Sequence, residues 1–552
     1  MAKWDRLSLV MILAGSFAGA VVAQGQIQPP PGNSTASTVT TVDQAIDRIV
    51  AREHDENAII RRYSPIVETY VQDMKADPQM GIVPFHDHYY LGQADLSNGV
   101  VDNSMLEKKK KGKIEEINPL SHGGGSPGSN FLRMIYVDAN GLDRVNYRFD
   151  YVGREFLGEV RCFVFDVTPL PKSGKERFYG RIWAEDQGFA VVRFNGTYSA
   201  GTEPNGFSTH FDSWRMNVQP DLWLPVFVFS QESELKNSEN SIRSKAQTRL
   251  WGYDLANRTS AVAFNQPTLD SPVTVQQDSS PVDVERRWQL EAEKNVIDRL
   301  ERTGLLAPPG EVDKVLETVI NNLEVTNNLD VEPDIKCRVL LTGTLESFSI
   351  GHTIVMSRGL IDVLPDEASL AAMLAQELAA IIVTKPSTDQ YGFNDTTNVT
   401  TAEALSRFSF KATPAEVEMA NQKAVEYLQH SPYKDKLGAA GLFLKQLQAD
   451  SAALPSLIDA RLGNSVGFSS ALLNSGPPLQ SDKLDQVAAL AIGSRVKVDP
   501  WSDRVELLKS KPVALHSARE KMAFEVTPFL PFLTRYSESK DQGKPAVNAR
   551  AN

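Results

Sequence analysis

The chain has 552 residues, 41% of them apolar and 23% charged, an ordinary globular composition with length for roughly two to four domains. Its 57 basic against 69 acidic residues leave a formal charge of −12, which argues against nucleic acid or an anionic membrane surface as the main partner.

The N-terminus, MAKWDRLSLVMILAGSFAGAVVAQGQ, sets Lys3 and Arg6 ahead of an apolar run that ends in Val21-Val22-Ala23. That order predicts a secretory signal over residues 1–23, cleaved after Ala23, with a retained membrane anchor as the alternative. No later segment offers about 18 uninterrupted apolar residues, so a stable span is not expected after cleavage. The mature chain is expected to be periplasmic or secreted. Residues 24–40, rich in Pro, Gly, Ser and Thr, read as a disordered leader. Export permits disulfides; for Cys162 and Cys337, two buried free thiols are expected, with an interdomain bridge as the alternative.

Thr41-Val42-Asp43-Gln44 has the form of a capping box, and Ile46, Ile49 and Val50 follow at helical spacing. A second helix is expected after Pro65, through Ile66, Val67, Tyr70, Val71 and Met74. His86-Asp87-His88 would put two imidazoles on one face of a strand, half a metal site with no evident third ligand. The run EKKKKGKIEEI, in which Glu115 and Glu116 offset Lys108 to Lys111 and Lys113, reads as a solvated loop.

From about Asn146 to Tyr253 the period changes to alternation. Tyr147, Phe149 and Tyr151 begin it, and at least six turn-bounded strands follow, which predicts an antiparallel sheet. The two helices ahead of it would cover the concave face of a half-open barrel. The run FLGEVRCFVFDVTPLPKSGKERFYGRIWAEDQGFAVVRFNGTY, with LWLPVF after it, resembles the lipoprotein-sorting (LolA-like) fold of periplasmic carriers over roughly residues 130–255. That resemblance implies a hydrophobic groove for acyl chains or an apolar peptide. The residues alone are equally well read as aromatics filling a sheet core.

LDSPVTVQQDSSPVD reads as a linker, which places a boundary over residues 266–282. Asp283 is positioned to cap a helix carrying Trp288, Val296, Ile297 and Leu300, with Gly304 as its stop. After Pro308-Pro309-Gly310, a second helix aligns Val312, Val315, Leu316, Val319, Ile320 and Leu323 on one stripe, and Ile335 to Leu341 reads as a strand.

Next come a strand ending in Gly351-His352-Thr353-Ile354-Val355-Met356, then Ser357-Arg358-Gly359-Leu360, Asp366-Glu367 and the apolar helix containing LAQELAAIIV. This order, over roughly residues 300–510, resembles the HtpX-like and CAAX-prenyl-protease-like zinc metallopeptidases. Their His-Glu-x-x-His motif puts two imidazoles on one helical face while the Glu polarises a water. Here Gln376 stands at the first histidine, Glu377 at the glutamate and Ala380 at the second histidine. On the later helix, TPAEVEMANQKAVEYLQ, setting Asn421 on the family's Asp puts Val417 at the third-ligand position. Glu416 and Glu418 flank it, so a one-residue shift would restore a carboxylate. VDPWSDRVELLK resembles the family's late His-Pro segment, with Asp499 at the histidine while Pro500 and Arg504 match. The resemblance thus implies a retained fold without its zinc ligands, a vestigial Glu377 and Arg504 as its candidate ion partner. The alternative is a Glu377 exposed at a vestigial cleft.

The fold class predicted is α+β: an antiparallel half-barrel over residues 41–265, a mainly helical metallopeptidase-like domain with a small sheet over 283–535, and a disordered tail over 536–552. FEVTPFLPFLTRY, just before the tail, should dock as an extended segment. The function expected is that of an exported, non-catalytic peptidase-like protein that binds or scaffolds envelope proteins or unfolded polypeptide, with no cofactor. Two alternatives remain open: an active zinc metalloendopeptidase with a non-standard ligand set, and a periplasmic lipid or lipoprotein carrier acting through the N-terminal domain.

Overall fold

The Thr41 hydroxyl accepts from the Gln44 amide and starts helix α1 (Val42–Ile60), as the capping pattern predicts. In the computed structural model the described residues are 41–78, 80–102, 105, 131–198, 207–234, 242–255, 281–383, 410–466, 470–479, 495–508 and 524–536. The expected signal, leader and lysine run, linker residues 266–280 and tail residues 537–552 lie outside them.

Ten antiparallel strands form one open sheet: β1 (Ile66–Asp77), β2 (Gly81–Asp95), β3 (Val100–Asp102), β4 (Tyr147–Leu157), β5 (Val160–Pro169), β6 (Phe178–Glu185), β7 (Val191–Tyr198), β8 (Phe207–Gln219), β9 (Leu222–Glu234) and β10 (Ile242–Trp251). From β4 to β10 the chain is a meander, and β10 then pairs with β1, so the spatial order is β3-β2-β1-β10-β9-β8-β7-β6-β5-β4.

The segment after Pro65, expected to be helical, is strand β1. Ile66 to Gln72 are all buried, because β1 lies inside the sheet with both faces covered. A continuous apolar run fits either period, and ladders to β2 and β10 decide for the strand. The helical cover on that side is therefore α1 and not a helix pair.

Helix α1 buries Ala45, Ile46, Ile49 and Ile60, and also Glu53 and Glu56. Those carboxylates meet the fully buried Arg215 of β8: Arg215 Nη1 donates to Glu53 Oε2 at 2.6 Å and to Glu56 Oε2 at 3.1 Å, and Nη2 to Glu53 Oε1 at 2.8 Å. Arg52 also meets Glu56 Oε1 at 3.2 Å, yet burial pushes Glu56 up to about 8 despite both arginines. On the same layer Phe178, Phe194, Tyr198 and Phe211 meet at ring-centroid distances of 5.0 to 6.4 Å. Each fully buried Phe contributes about 2 kcal/mol.

The C-terminal half continues the core. It comprises α2 (Pro281–Arg302), α3 (Glu311–Asn327), β11 (Lys336–Leu340), β12 (Glu346–Ile350), β13 (Thr353–Ser357), α4 (Arg358–Val363), α5 (Glu367–Val383), α6 (Pro414–Gln429), α7 (Leu437–Asp450) and α8 (Pro455–Ile458). After these come β14 (Asn464–Ser465), α9 (Ser470–Ser475) and the hairpin β15 (Val496–Val498) and β16 (Val505–Leu507). Helix α2 begins at Pro281, so Asp283 lies inside it rather than at its N-cap position; Gly304, at φ 70, follows its end as expected. Gly351 and His352 are the turn between β12 and β13, not part of a strand.

Residues Thr41 onward form one compact unit. Trp214 and Phe227 of the large sheet share a core with Leu341, Met356 and Leu374. Arg358 Nη2 reaches Glu68 Oε2 of β1 at 2.6 Å, and Asp87 of β2 accepts from the Ser456 and Leu457 amides at the start of α8, both at 2.8 Å. Among the described residues no helix is long and apolar enough to cross a membrane.

Candidate functional site

Helix α5 carries the positions that the sequence matches to the zinc-protease motif; Glu377 is buried, and Gln376 and Ala380 are half-buried. Glu377 is 4% exposed; Ser347 Oγ of β12 donates to its Oε1 at 2.6 Å, and its Oε2 has no partner. Burial pushes its carboxyl up to about 7, opposed only by the Ser347 hydrogen bond. Gln376 Nε2 donates to Asn421 Oδ1 of α6 at 2.9 Å. An amide pair thus joins the two helices. Ala380 offers no donor atom, and Val417 is half-buried and equally inert. Glu416 closes the capping box of α6, accepting from Thr413 N at 2.7 Å, and exposed Glu418 accepts from Gln422. Neither supplies a replacement ligand, so the residues present do not fit a zinc ion here.

The expected Arg504–Glu377 pair is not formed. Arg504 is exposed on the β15–β16 hairpin, where its carbonyl accepts from Asp499 N at 2.8 Å, while Glu377 is buried against Ser347. The expectation of an exposed Glu377 fails as well. Asp499 serves its own turn, accepting from Trp501 N at 2.9 Å and from the Ser502 hydroxyl at 2.8 Å.

An apolar cavity lies elsewhere, over the other end of the shared core. It encloses about 420 Å³, within the roughly 300–1,000 Å³ typical of ligand sites. Its floor is Met216 of β8, Val226 and Phe227 of β9, and Leu250 and Trp251 of β10; its side is Val496 and Val498 of the hairpin. Its roof is the extended segment 524–536, which docks as the sequence predicts. Gln72 Nε2 donates to Phe524 O at 2.5 Å, Val526 N to Gln72 Oε1 at 2.7 Å, and Glu159 N to Leu533 O at 2.8 Å. Pro528 and Pro531 deny this strap a regular ladder, so side chains supply most of its remaining ties: Arg535 Nη2 meets Glu185 Oε2 at 2.8 Å, Lys245 meets Glu525, and the Phe227 and Phe529 rings touch edge to face at 6.0 Å. Leu530 and Phe532 stand 63% and 64% exposed at the rim, apolar surface with no cover of its own.

Arg249, Arg358, Lys497 and Glu506 bring charge into this otherwise apolar wall. Arg249 of β10 lies over the Phe227 ring at 5.7 Å, and its Nε and Nη2 are buried without a hydrogen-bond partner. Arg358 beside it is satisfied, by Glu68 and by the Leu341 carbonyl at 2.9 Å. Burial, reinforced by the Arg358 charge and opposed by the Asp362 and Glu68 carboxylates, lowers Arg249 to about 10. It stays a cation at neutral pH, with the Glu68 carboxylate on its cross-strand neighbour in β1.

Sequence reasoning missed Arg249. The available signal was an arginine inside KAQTRLWGYD between Thr248 and Leu250-Trp251, on a strand whose residues are otherwise mostly buried. A second cavity, of about 470 Å³, lies between α3 and β11, where Asp313, Lys314, Lys336 and Arg338 mix their charges. Cys162 and Cys337 are buried free thiols, as expected; burial raises Cys162 to about 12 and Cys337 further.

No protein-family model matches the sequence, and no curated protein does. Among solved structures, 37% of this chain is similar to 91% of an outer-membrane lipoprotein-sorting-type domain from Vibrio parahaemolyticus, at 10% identity and a TM-score of 0.18. A DUF1329 family protein from Desulfovibrio piger matches over 38% of this chain and 90% of its own, at 11% identity and a TM-score of 0.18. The Pseudomonas aeruginosa MucA/MucB complex matches over 38% of this chain and 94% of the other, at 9% identity and a TM-score of 0.13.

Proposed function

We propose that this protein binds an acyl-chain amphiphile bearing one anionic head group, as a carrier or receptor in the cell envelope. The observation that carries the reading is Arg249: a guanidinium with two buried, unpartnered nitrogens in the wall of an apolar cavity of about 420 Å³. An apolar chain would cover Phe227, Trp251 and Phe529, while a carboxylate or phosphate oxygen would satisfy the open donors. The exposed Leu530 and Phe532 give the chain a path in. The basic-then-apolar start ending at Ala23 supports export to the compartment where such ligands occur.

The test is a titration of purified protein with dodecanoate and with dodecanol. A hydrogen bond to a charged group contributes about 1.5–3 kcal/mol, so dodecanoate should bind at least about tenfold more tightly. Arg249→Met should erase that preference while retaining the dodecanol affinity. Equal affinity of the wild type for both ligands, or no saturable binding of either, would refute the reading.

The Ser347–Glu377 and Gln376–Asn421 hydrogen bonds favour a second, compatible reading, in which the C-terminal half does not hydrolyse peptides and walls the cavity instead. Incubation with unfolded envelope proteins tests it. Cleavage that a chelator abolishes would overturn it.

A further inference from the structure

Outside the cavity lining, strands β1 and β2 bring together three groups that the sequence reading could not assemble. His86 and His88 do share one face of a strand, as alternation requires, and Asp87 between them points the other way, into the core. The third group comes from the neighbouring strand. Asp73 of β1 is the cross-strand partner of His86, and Val71 is the partner of His88, so Asp73, His86 and His88 stand on one face. A register shift between Asp73 and Met74 ends the regular pairing at this point.

The donor atoms converge. Asp73 Oδ2 lies 3.5 Å from His86 Nδ1 and 3.2 Å from His88 Nε2, and one nitrogen of each imidazole and one carboxylate oxygen all lie within 4.8 Å of one another. Around a tetrahedral zinc with bonds of about 2.0–2.1 Å, donor atoms sit about 3.3 Å apart. Both Asp73 edges of the triangle match that spacing. The two rings are 4.7 Å apart between centroids, so a small rotation of His86, whose side chain is 49% exposed, closes the remaining edge. Lys75, the next outward residue of β1, places its ammonium over the Phe85 ring at 5.7 Å and not on the Asp73 carboxylate.

We propose that Asp73, His86 and His88 form a binding site for a divalent transition-metal ion, with zinc the best match. Two borderline imidazole donors beside one carboxylate suit zinc, nickel or copper better than magnesium or calcium, which prefer all-oxygen sites. Three protein ligands leave the outward coordination position open to water or to a group from a partner molecule. A strand-borne site also ties β1 to β2 at the point where their ladder shifts. The assignment is independent of the cavity, because neither Asp73 nor either histidine lines it.

Calorimetric titration of untagged, chelator-stripped full-length protein with Zn²⁺ tests the proposal. Saturable one-to-one binding is expected, unaffected by excess Mg²⁺. His88→Ala and Asp73→Asn should each weaken it at least about tenfold, the scale on which metal sites respond to altered ligation. His86→Ala, at the most exposed of the three, is the variant least able to disturb folding and should weaken binding similarly. Co²⁺ should give the intense visible absorption of a four-coordinate site in the wild type and lose it in the variants. Absence of saturable Zn²⁺ binding, or affinity unchanged in all three variants, would show a hydrogen-bonded triad only and overturn the assignment.

Discussion

Ser347 Oγ of β12 donates to Glu377 Oε1 of α5 at 2.6 Å, a buried hydrogen bond between the small sheet and the helix. The remaining oxygen of Glu377 is buried without a partner, and its carboxyl is raised from 4.5 to about 7. The unfolded chain releases this proton near pH 4.5, whereas the folded chain keeps it to about 7. Between those values the folded state holds more protons, so the carboxyl's contribution to stability is fully present below pH 4.5 and is lost as pH rises through 7. The loss amounts to up to about 3 kcal/mol. Thermal melts of Glu377→Gln from pH 4 to 8 should show a flatter pH dependence than the wild type. An identical slope would mean that Glu377 titrates normally.

Arg358 anchors the helical half to the large sheet through Glu68, a carboxylate that also accepts from Tyr89 Oη at 2.7 Å and from the Gly343 amide. Removing the cation leaves Glu68 buried beside an apolar side chain. Arg358→Met should lower stability by about 3–5 kcal/mol, read as a lower denaturation midpoint. A loss below about 1 kcal/mol would place the coupling between the halves elsewhere.

Gly359 packs directly on the Gly343 backbone, and a Cβ there would overlap it. Gly359→Ala should therefore cost about 1–3 kcal/mol through a shift of α4 against the turn after β11. Gly438 is the control: on helix α7 its nearest neighbour would be Ser475 O at 3.8 Å, and Gly438→Ala should stabilise by up to about 1 kcal/mol. Chemical denaturation of both variants checks the contrast in sign.

Much of this architecture is legible in the sequence because its signals are local. Thr41 caps α1, Gly304 ends the turn after α2, and alternation from Tyr147 marks the meander. What was not legible depends on pairing across long distances. Ile66 to Gln72 match a helix by spacing and become a strand because β2 and β10 flank them. Arg504, matched by motif, ends on an exposed hairpin, while Arg249, unmarked by any motif, enters the cavity because β10 closes onto β1. Asp73 joins His86 only through the β1–β2 register, which no spacing rule reveals.

The central claim is that ligand enters the cavity beneath the 524–536 strap. Photo-crosslinking with a fatty acid carrying a terminal diazirine, followed by peptide mapping, tests it most directly. Labels should fall on the peptides containing Phe227, Trp251 and Phe529, compete away with excess dodecanoate, and diminish in Arg249→Met. Labelling confined to the α5 and α6 peptides around Glu377 and Asn421, or labelling that dodecanoate does not displace, would contradict the account.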